Sequence, residues 1–287
     1  MGRRLEKVLK NYDLHCHSTV SDGELPPRAV VARALEHGVD VLALTDHDEV
    51  AGAAEAAQAA RALGLAFVPG VEISVTWAGK TIHVVGLRVD PDDAALVQGL
   101  ALTRDGRLDR AREMGARLAA LGIEGAFEGA MARAGNPALV SRTHFARYLL
   151  DVGHCRDMNA AFDRYLGTGK PAYVDMQWAR LSDALAWIAG AGGQAVLAHP
   201  GRYDYSPTAF GALFAEFKER GGAAIEVVTG SHSPDQYGEY ADIARRYGFL
   251  ASRGSDFHAP GYGRVDLGEL PPLPAGLTPV WHDWGLG

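Results

Sequence analysis

Short apolar runs alternate with stretches that carry apolar residues at helical spacing through the first third of the chain. The apolar runs predict strands at residues 12–17, 39–44, 65–71 and 81–87. The helical spacing predicts helices at residues 28–37 and 51–63. Strands that alternate with helices over short connections are typical of a parallel sheet, so we expect this part of the chain to belong to the α/β class.

The pattern changes between residues 92 and 167, which contain almost no β-branched runs and are rich in Ala, Arg, Leu and Glu. Glycines interrupt this stretch repeatedly, so we predict several helices rather than one. The alternation of strands and helices resumes near Ala179. Further strands are predicted at residues 194–198, 223–228 and 249–252. The sequence therefore predicts an α/β domain with a helical insertion.

Two histidines, His15 and His17, lie one residue apart at the end of the first predicted strand. Side chains alternate between the two faces of a strand, so both imidazoles should point to the same place and Cys16 to the opposite face, as a small buried core residue. Neutral imidazole is a common metal ligand. An isolated pair of this kind is more often buried and satisfied by hydrogen bonds than bound to a metal. Whether His15 and His17 are metal ligands therefore depends on further candidate ligands elsewhere in the sequence.

Further ionisable residues lie at or near the ends of other predicted strands. Together with the first two histidines they form a set of six imidazoles and three carboxylates: His15, His17, Asp22, His47, Glu72, His83, His199, Asp256 and His258. Burying so many titratable groups in one place is costly unless cations compensate them. Because a zinc site takes about four ligands, this set predicts two or three divalent ions. Imidazole and carboxylate ligands suit Mn²⁺, Zn²⁺ or Fe²⁺.

Composition restricts the remaining classes of function. The 287 residues are 47% hydrophobic and carry a formal net charge of −7, which argues against a long nucleic-acid track or an anionic membrane but allows a local basic pocket. Two cysteines do not make a disulfide framework, and no signal peptide or long apolar segment is recognised. We expect a cytoplasmic protein without membrane association and without an obligate protein partner.

Several short motifs together resemble the polymerase-and-histidinol-phosphatase (PHP) family. They are His-x-His with Asp22, Thr-Asp-His at 45–47, Pro-Gly-Val-Glu at 69–72, Ala-His-Pro at 198–200 and Gly-Ser-Asp-Phe-His at 254–258. The resemblance implies a distorted seven-stranded β/α barrel, formed by residues 1–100 and 168–287, with the helical insertion 101–167 covering its mouth. It also implies phosphoester hydrolysis at a trinuclear metal site, with Mn²⁺ as the first expectation.

The same resemblance assigns ligands to each ion. The three sets are His15, His17, Glu72 and Asp256; Glu72, His83 and His199, with Glu72 bridging; and Asp22, His47 and His258. Two such ions can share a water, lower its pKa from about 15.7 toward 7, and so supply a hydroxide that attacks phosphorus. Glu72, Asp256 and His199 are therefore catalytic candidates, and His232 is a candidate proton donor to the leaving oxygen.

The predicted insertion contains a candidate anion site. Ser141 or Thr143 would begin a helix, and a helix start beside an arginine, here Arg142, suits a phosphate. His144 and Lys170 are further candidates for substrate binding. Their segments, Ser-Arg-Thr-His-Phe-Ala and Gly-Thr-Gly-Lys-Pro-Ala-Tyr-Val, are similar to the PHP subgroup described as TrpH-like or YciV-like. That subgroup removes the 3′-phosphate from nucleoside 3′,5′-bisphosphates or degrades short RNA from its 5′ end.

The resemblance thus predicts a phosphohydrolase that converts a nucleoside 3′,5′-bisphosphate into a 5′-mononucleotide and phosphate. A 5′-to-3′ exoribonuclease on short 5′-phosphorylated RNA is the main alternative, although the acidic net charge favours small substrates. The insertion disfavours histidinol phosphate as substrate, and the filled ligand set disfavours a non-catalytic module. An amidohydrolase acting on carbon–nitrogen bonds would share the metal cluster, but no lysine at a predicted strand end is suited to carbamylation.

Overall fold

Eight strands and ten α-helices are formed by residues 10–286, the part of the chain that the structure, a computed structural model, describes. The strands are β1 (Tyr12–Asp13), β2 (Val41–Leu44), β3 (Ala66–Trp77), β4 (Lys80–Leu87), β5 (Ala179–Arg180), β6 (Gln194–Leu197), β7 (Ala224–Thr229) and β8 (Leu250–Gly254). The helices are α1 (Pro27–Glu36), α2 (Ala53–Leu63), α3 (Ala94–Arg104), α4 (Arg107–Ala120), α5 (Ala126–Met131), α6 (Arg142–Asp151), α7 (Met158–Ala161), α8 (Leu181–Gly190), α9 (Pro207–Glu219) and α10 (Pro234–Tyr247).

Seven of the strands form a nearly closed barrel. Their order is β1–β2–β3–β4–β6–β7–β8, and the short strand β5 pairs with β3 outside this path. The chain segments that follow β1 and β8 meet, because the Leu14 amide donates to the Arg253 carbonyl at 3.1 Å and the Asp256 amide donates to the His15 carbonyl at 2.8 Å. The predicted distorted seven-stranded α/β barrel is therefore confirmed.

Strand β4 departs from the parallel arrangement that the alternation of elements predicts. It runs antiparallel to both of its neighbours, β3 and β6. The parallel prediction is wrong here because only Ala78 and Gly79, with φ angles of 46° and 74°, connect β3 to β4. Positive φ at both central residues is typical of a two-residue hairpin turn. The register pairs Ser74 with His83 and brings His83 beside the strand that carries Glu72.

Apolar side chains cover both faces of the barrel wall, as neighbouring residues of β4 illustrate. Val84 belongs to a cluster that includes Ile188 of α8 and Phe217 of α9, whereas Val85 belongs to a cluster with Val41 of β2. Each fully buried aliphatic side chain of this kind contributes about 1.5–3 kcal/mol relative to an exposed one. Within residues 10–286, no helix combines the length and the apolar character that crossing a bilayer requires.

Helices α4, α5, α6 and α7 pack around a hydrophobic cluster of their own, which includes Met114 and Phe145. Leu96 of α3 belongs instead to the cluster that lies against the barrel. The helical segment reaches the barrel where the Ser141 hydroxyl donates to the Asp22 carboxylate at 3.0 Å. The insertion boundaries given above stay a prediction.

Candidate metal centre and substrate cavity

The two histidines that follow β1 meet at their Nε2 atoms, which lie 3.2 Å apart. This is the arrangement that side-chain alternation predicts for His15 and His17. Glu72 Oε2 is 3.3 Å from each of these nitrogens, and Asp256 Oδ1 is 3.5 Å from that of His15 and 3.3 Å from that of His17. The four ligand atoms are close enough to share one ion. Cys16 is fully buried, as expected.

The Glu72 carboxylate lies among the remaining histidines. Its Oε1 is 2.9 Å from His83 Nδ1 and 2.9 Å from His199 Nε2, and its Oε2 is 3.0 Å from His47 Nδ1. Burial raises the pKa of this carboxyl, but the surrounding imidazoles outweigh burial and hold the pKa well below its usual range. Glu72 is therefore an ionised carboxylate that contacts the ligands of more than one group.

A third group forms around Asp22. Its Oδ1 is 3.3 Å from His258 Nε2 and 3.9 Å from His47 Nε2. His17 completes this set. The Ser141 hydroxyl donates to the other carboxylate oxygen, Oδ2, at 3.0 Å, so the helical segment helps to hold a residue of the cluster.

The geometry of these groups fits bound cations. Ligands that lie about 2.0–2.1 Å from one ion are themselves about 3.0–3.4 Å apart, and the separations in the first group run from 3.2 to 3.5 Å. In the described part of the chain, the buried atoms Asp22 Oδ1 and Glu72 Oε2 have no hydrogen-bond partner. Unpaired buried carboxylate oxygens are costly, and cations would compensate them. The chain thus contains several His/Asp/Glu metal-site groups.

All nine sequence-predicted ligands are brought together. Eight of them belong to the three groups, and the ninth, His199, contacts Glu72. The composition of the second group differs from the prediction, because His47 joins Glu72 and His83 in the set of atoms that can share an ion.

Buried carboxylates that sequence patterns did not single out hold the ligand-bearing segments. Glu226 in β7 contacts His15 Nδ1 at 2.8 Å, and Asp46 accepts a hydrogen bond from the Ser18 amide at 2.7 Å. The sequence does contain a signal for Glu226, which is the one acidic residue in the apolar run Ala-Ile-Glu-Val-Val-Thr. A charged group buried in such a run has to be paired.

A cavity of about 1050 Å³ lies over the metal-site groups and is lined by residues of both the barrel and the helical segment. Eight arginines contribute to its lining: Arg107, Arg110, Arg133, Arg142, Arg147, Arg156, Arg202 and Arg264. Several of these guanidinium groups lie close enough to repel one another. Burial and the neighbouring charges of Arg142 and Arg107 lower the pKa of Arg110 to about 9. Five carboxylates also line the cavity, and four of them pair with arginines of the lining. The arginines outnumber the carboxylates, and this excess of positive charge favours an anionic ligand.

Arg142 and Ser141, both predicted to bind substrate, line this cavity. Ser141 is the N-cap of α6 and Arg142 is the first residue of that helix. The Arg142 guanidinium lies 5.8 Å from the ring centre of Phe162 and 5.6 Å from that of Tyr173. Burial lowers the pKa of Arg142. Its Nη1 donates to the Leu166 carbonyl at 3.5 Å, and the remaining guanidinium donors can serve an anion, since aromatic rings do not compete for them.

The structure places His144 and Lys170 outside the cavity lining, and the substrate contacts predicted for them stay a prediction. His144 Nδ1 accepts a hydrogen bond from the Ser141 amide at 3.0 Å and so completes the cap of α6. His144 is buried and outside the cavity lining of the described structure. Lys170 is exposed in a turn and also lies outside that lining.

Backbone groups occupy both ring nitrogens of His232, an arrangement that does not favour its predicted role as a proton donor. Its Nδ1 donates to the Val227 carbonyl at 3.1 Å, and its Nε2 accepts from the Gly201 amide at 2.9 Å. Burial lowers the pKa of His232 to about 4. The neutral ring therefore has no free proton for a leaving group near neutral pH.

Comparisons with known proteins agree with this geometry. The sequence model of the PHP domain matches residues 13–229. A 3′,5′-nucleoside bisphosphate phosphatase from Chromobacterium violaceum is 52% identical over 275 residues, which cover 96% of each chain. A 5′-3′ exoribonuclease from Haemophilus influenzae is 43% identical over 278 residues, which cover 96% of this chain and 99% of the relative.

Solved structures share the fold. A Chromobacterium violaceum protein described as an amidohydrolase with bound sulfate has a TM-score of 0.92 at 52% identity, over 94% of each chain. A protein from Bifidobacterium adolescentis has a TM-score of 0.78 at 28% identity, over 94% of this chain and 93% of the other. From the barrel, the metal-site groups and the extent of the matched domain, we conclude that the chain belongs to the PHP domain family.

Proposed function

We propose that the chain hydrolyses the 3′-phosphate of nucleoside 3′,5′-bisphosphates and releases a 5′-mononucleotide and phosphate. The observation that carries the proposal is one cavity that joins the metal-site groups to the guanidinium of Arg142. A substrate with two phosphates needs two such places, one where phosphorus reacts and one that holds the other phosphate. The relative named 3′,5′-nucleoside bisphosphate phosphatase supports the same assignment.

We assign the metal ligands to nine side chains and Mn²⁺ to the ions they bind. The ligands are His15, His17, Asp22, His47, Glu72, His83, His199, Asp256 and His258. Ions bound there would acidify water and neutralise phosphoryl oxygens. The contribution of the chain is to hold Glu72, Asp256 and His199 ready around the reacting phosphate. Burial raises the pKa of Asp256, but neighbouring imidazoles hold it well below its usual range, so this carboxylate is charged before substrate arrives.

Arg202 supplies a cation beside the proposed position of the 3′-phosphate. Its Nη1 lies 3.2 Å from Asp256 Oδ2, its side chain is 51% exposed, and it lines the cavity. A guanidinium presents a planar fork of donors that matches two phosphate oxygens. The Ser231 hydroxyl donates to the same Asp256 oxygen at 3.1 Å and helps to hold that carboxylate in place.

The 5′-phosphate is assigned to the start of α6. This helix has ten residues, so its first amides and its dipole favour an anion at the Ser141 end. Arg142 adds charge-assisted hydrogen bonds, which are worth about 1.5–3 kcal/mol each. A phosphate that is bound without reacting orients the phosphate that does react.

Hydrolysis of short 5′-phosphorylated RNA is a second candidate function. The relative from Haemophilus influenzae is named a 5′-3′ exoribonuclease. The cavity of about 1050 Å³ is slightly larger than the range of about 300–1,000 Å³ typical of small-molecule pockets. The same contacts at α6 would hold the 5′ end while the bond to the next nucleotide is hydrolysed.

Three substrates separate these functions. Mn²⁺-loaded protein is incubated with adenosine 3′,5′-bisphosphate, with a 5′-phosphorylated diadenylate and with histidinol phosphate, and the release of phosphate or nucleotide gives kcat/KM for each. We expect the highest value for the bisphosphate and no turnover of histidinol phosphate. A higher value for the dinucleotide would favour the exoribonuclease, and turnover of histidinol phosphate alone would contradict both candidates.

A further inference from the structure

Glu226 is a buried acid that is not itself in a metal-site group but contacts two of the proposed ligands. It lies in β7, where all six residues are buried, and is 1% exposed. Its Oε1 is 2.8 Å from His15 Nδ1. Its Oε2 accepts a hydrogen bond from the backbone amide of His199 at 2.6 Å. One carboxylate therefore links the segment after β1 to the segment after β6.

The contact with His15 determines which of its nitrogens carries the proton. A carboxylate accepts a hydrogen bond, so Nδ1 has to be the protonated nitrogen when the ring is neutral. The lone pair is then on Nε2, the atom that lies 3.3 Å from Glu72 Oε2 and 3.5 Å from Asp256 Oδ1. The opposite tautomer would direct a hydrogen toward the proposed ion and could not bind it.

The contact with His199 supports an unfavourable backbone conformation. His199 has φ 26° and ψ 57°, a left-handed conformation that residues with a side chain rarely adopt and that surrounding contacts have to maintain. The short hydrogen bond from its amide to Glu226 is such a contact. It keeps His199 Nε2 at 2.9 Å from Glu72.

We propose that Glu226 is a positioning residue of the metal centre, which sets the tautomer of His15 and the backbone of His199 at the same time. A carboxylate can do both because each of its oxygens accepts a hydrogen bond. An amide has only one acceptor, so Glu226→Gln must turn its NH₂ group toward one of the two donors. The inference rests on the proposed ligand set and does not depend on the proposed substrate.

The test compares Glu226→Gln with Asp13→Asn. Asp13 is a fully buried carboxylate of the same barrel, and it accepts from the backbone amides of Ser255 at 2.8 Å and Gly268 at 3.0 Å. The measurements are the Kd for Mn²⁺ by calorimetric titration of metal-free protein, metal content by mass spectrometry, and Tm in EDTA and in Mn²⁺. None of these requires turnover.

We expect Glu226→Gln to raise the Kd for Mn²⁺ by about 10–100-fold, the usual effect of losing a partner of a metal ligand. Its rise in Tm on adding Mn²⁺ should shrink accordingly. Asp13→Asn should lower Tm in EDTA but keep most of the metal-dependent rise. If Glu226→Gln does not fold, Glu226→Asp, which shortens the side chain by one methylene, takes its place with the same expectation.

Two results would contradict the inference in distinguishable ways. An unchanged Kd for Mn²⁺ and an unchanged metal-dependent rise in Tm in the Glu226 variant would show that this carboxylate only stabilises the fold. Failure of the unaltered protein to bind Mn²⁺ would remove the proposed ligand set itself. Failure of the bisphosphate as a substrate would leave the metal measurements, and hence the inference, intact.

Discussion

Replacing Arg142 by alanine should weaken the binding of the 5′-phosphate of the proposed substrate without affecting the site of the 3′-phosphate. The substitution removes the guanidinium proposed for the 5′-phosphate and leaves every proposed metal ligand in place. Helix α6 should still form, because its cap is made by Ser141 and His144. The 3′-phosphate should therefore still bind and react at the metal-site groups, whereas the 5′-phosphate loses its main cation.

The size of the effect follows from the contacts of Arg142. Losing one charge-assisted contact to phosphate costs about 1.5–3 kcal/mol, and each 1.4 kcal/mol is about a factor of ten. Arg107 and Arg110 remain in the same cavity, and the loss of Arg142 relieves the repulsion that helps to lower the pKa of Arg110 to about 9. Their remaining charge should keep the loss at the lower end, about 10–50-fold in kcat/KM.

The assay measures kcat/KM for adenosine 3′,5′-bisphosphate and for adenosine 3′-phosphate, which differ only in the 5′-phosphate. Arg142→Ala should lower kcat/KM for the bisphosphate by about 10–50-fold, mainly by raising KM. It should change kcat/KM for the monophosphate little. Lys170→Ala is the control, since it removes an exposed cation outside the cavity lining of the described structure. Equal losses on both substrates, or no loss on either, would refute the assignment of the 5′-phosphate to Arg142.

Three further predictions concern the metal centre and His232. Glu72→Ala should abolish phosphate release while the circular dichroism spectrum of the fold is retained, and turnover at the unaltered rate after verified metal loading would contradict this. Dialysis against EDTA should lower Tm and Mn²⁺ should restore it, because ions that bind only the folded state stabilise it; an unchanged Tm would count against the ligand set. His232→Gln should lower Tm by several degrees and leave both limbs of the pH–rate profile in place, whereas loss of one limb would support His232 as a proton donor.

Local rules predict the parts of the site that depend on neighbouring residues. His15 and His17 converge because alternation along an extended segment is fixed by backbone geometry. Asp256 follows the end of β8, which is the mouth of a barrel of this type, whereas Glu72 lies within β3, because that strand continues to Trp77 beyond the end predicted at residue 71. The sequence therefore predicts the nine candidate ligands without any knowledge of which strands are neighbours.

Other features depend on contacts between distant segments. The antiparallel direction of β4 follows from a two-residue turn, whose length is visible only once the ends of both strands are known. His232 follows a strand end, as several of the proposed ligands do, but its two ring nitrogens are hydrogen-bonded to the Val227 carbonyl and the Gly201 amide. Glu226 was missed because its partners are 211 and 27 residues away in sequence.

Identification of the products from adenosine 3′,5′-bisphosphate tests the central claim most directly. Mn²⁺-loaded protein is incubated with this substrate, and the products are followed by phosphorus nuclear magnetic resonance and chromatography. We predict adenosine 5′-phosphate and one equivalent of phosphate, because the metal-site groups should receive the 3′-phosphate while Arg142 holds the 5′-phosphate. Adenosine 3′-phosphate as the product, or no product from protein with verified metal content, would contradict the claim.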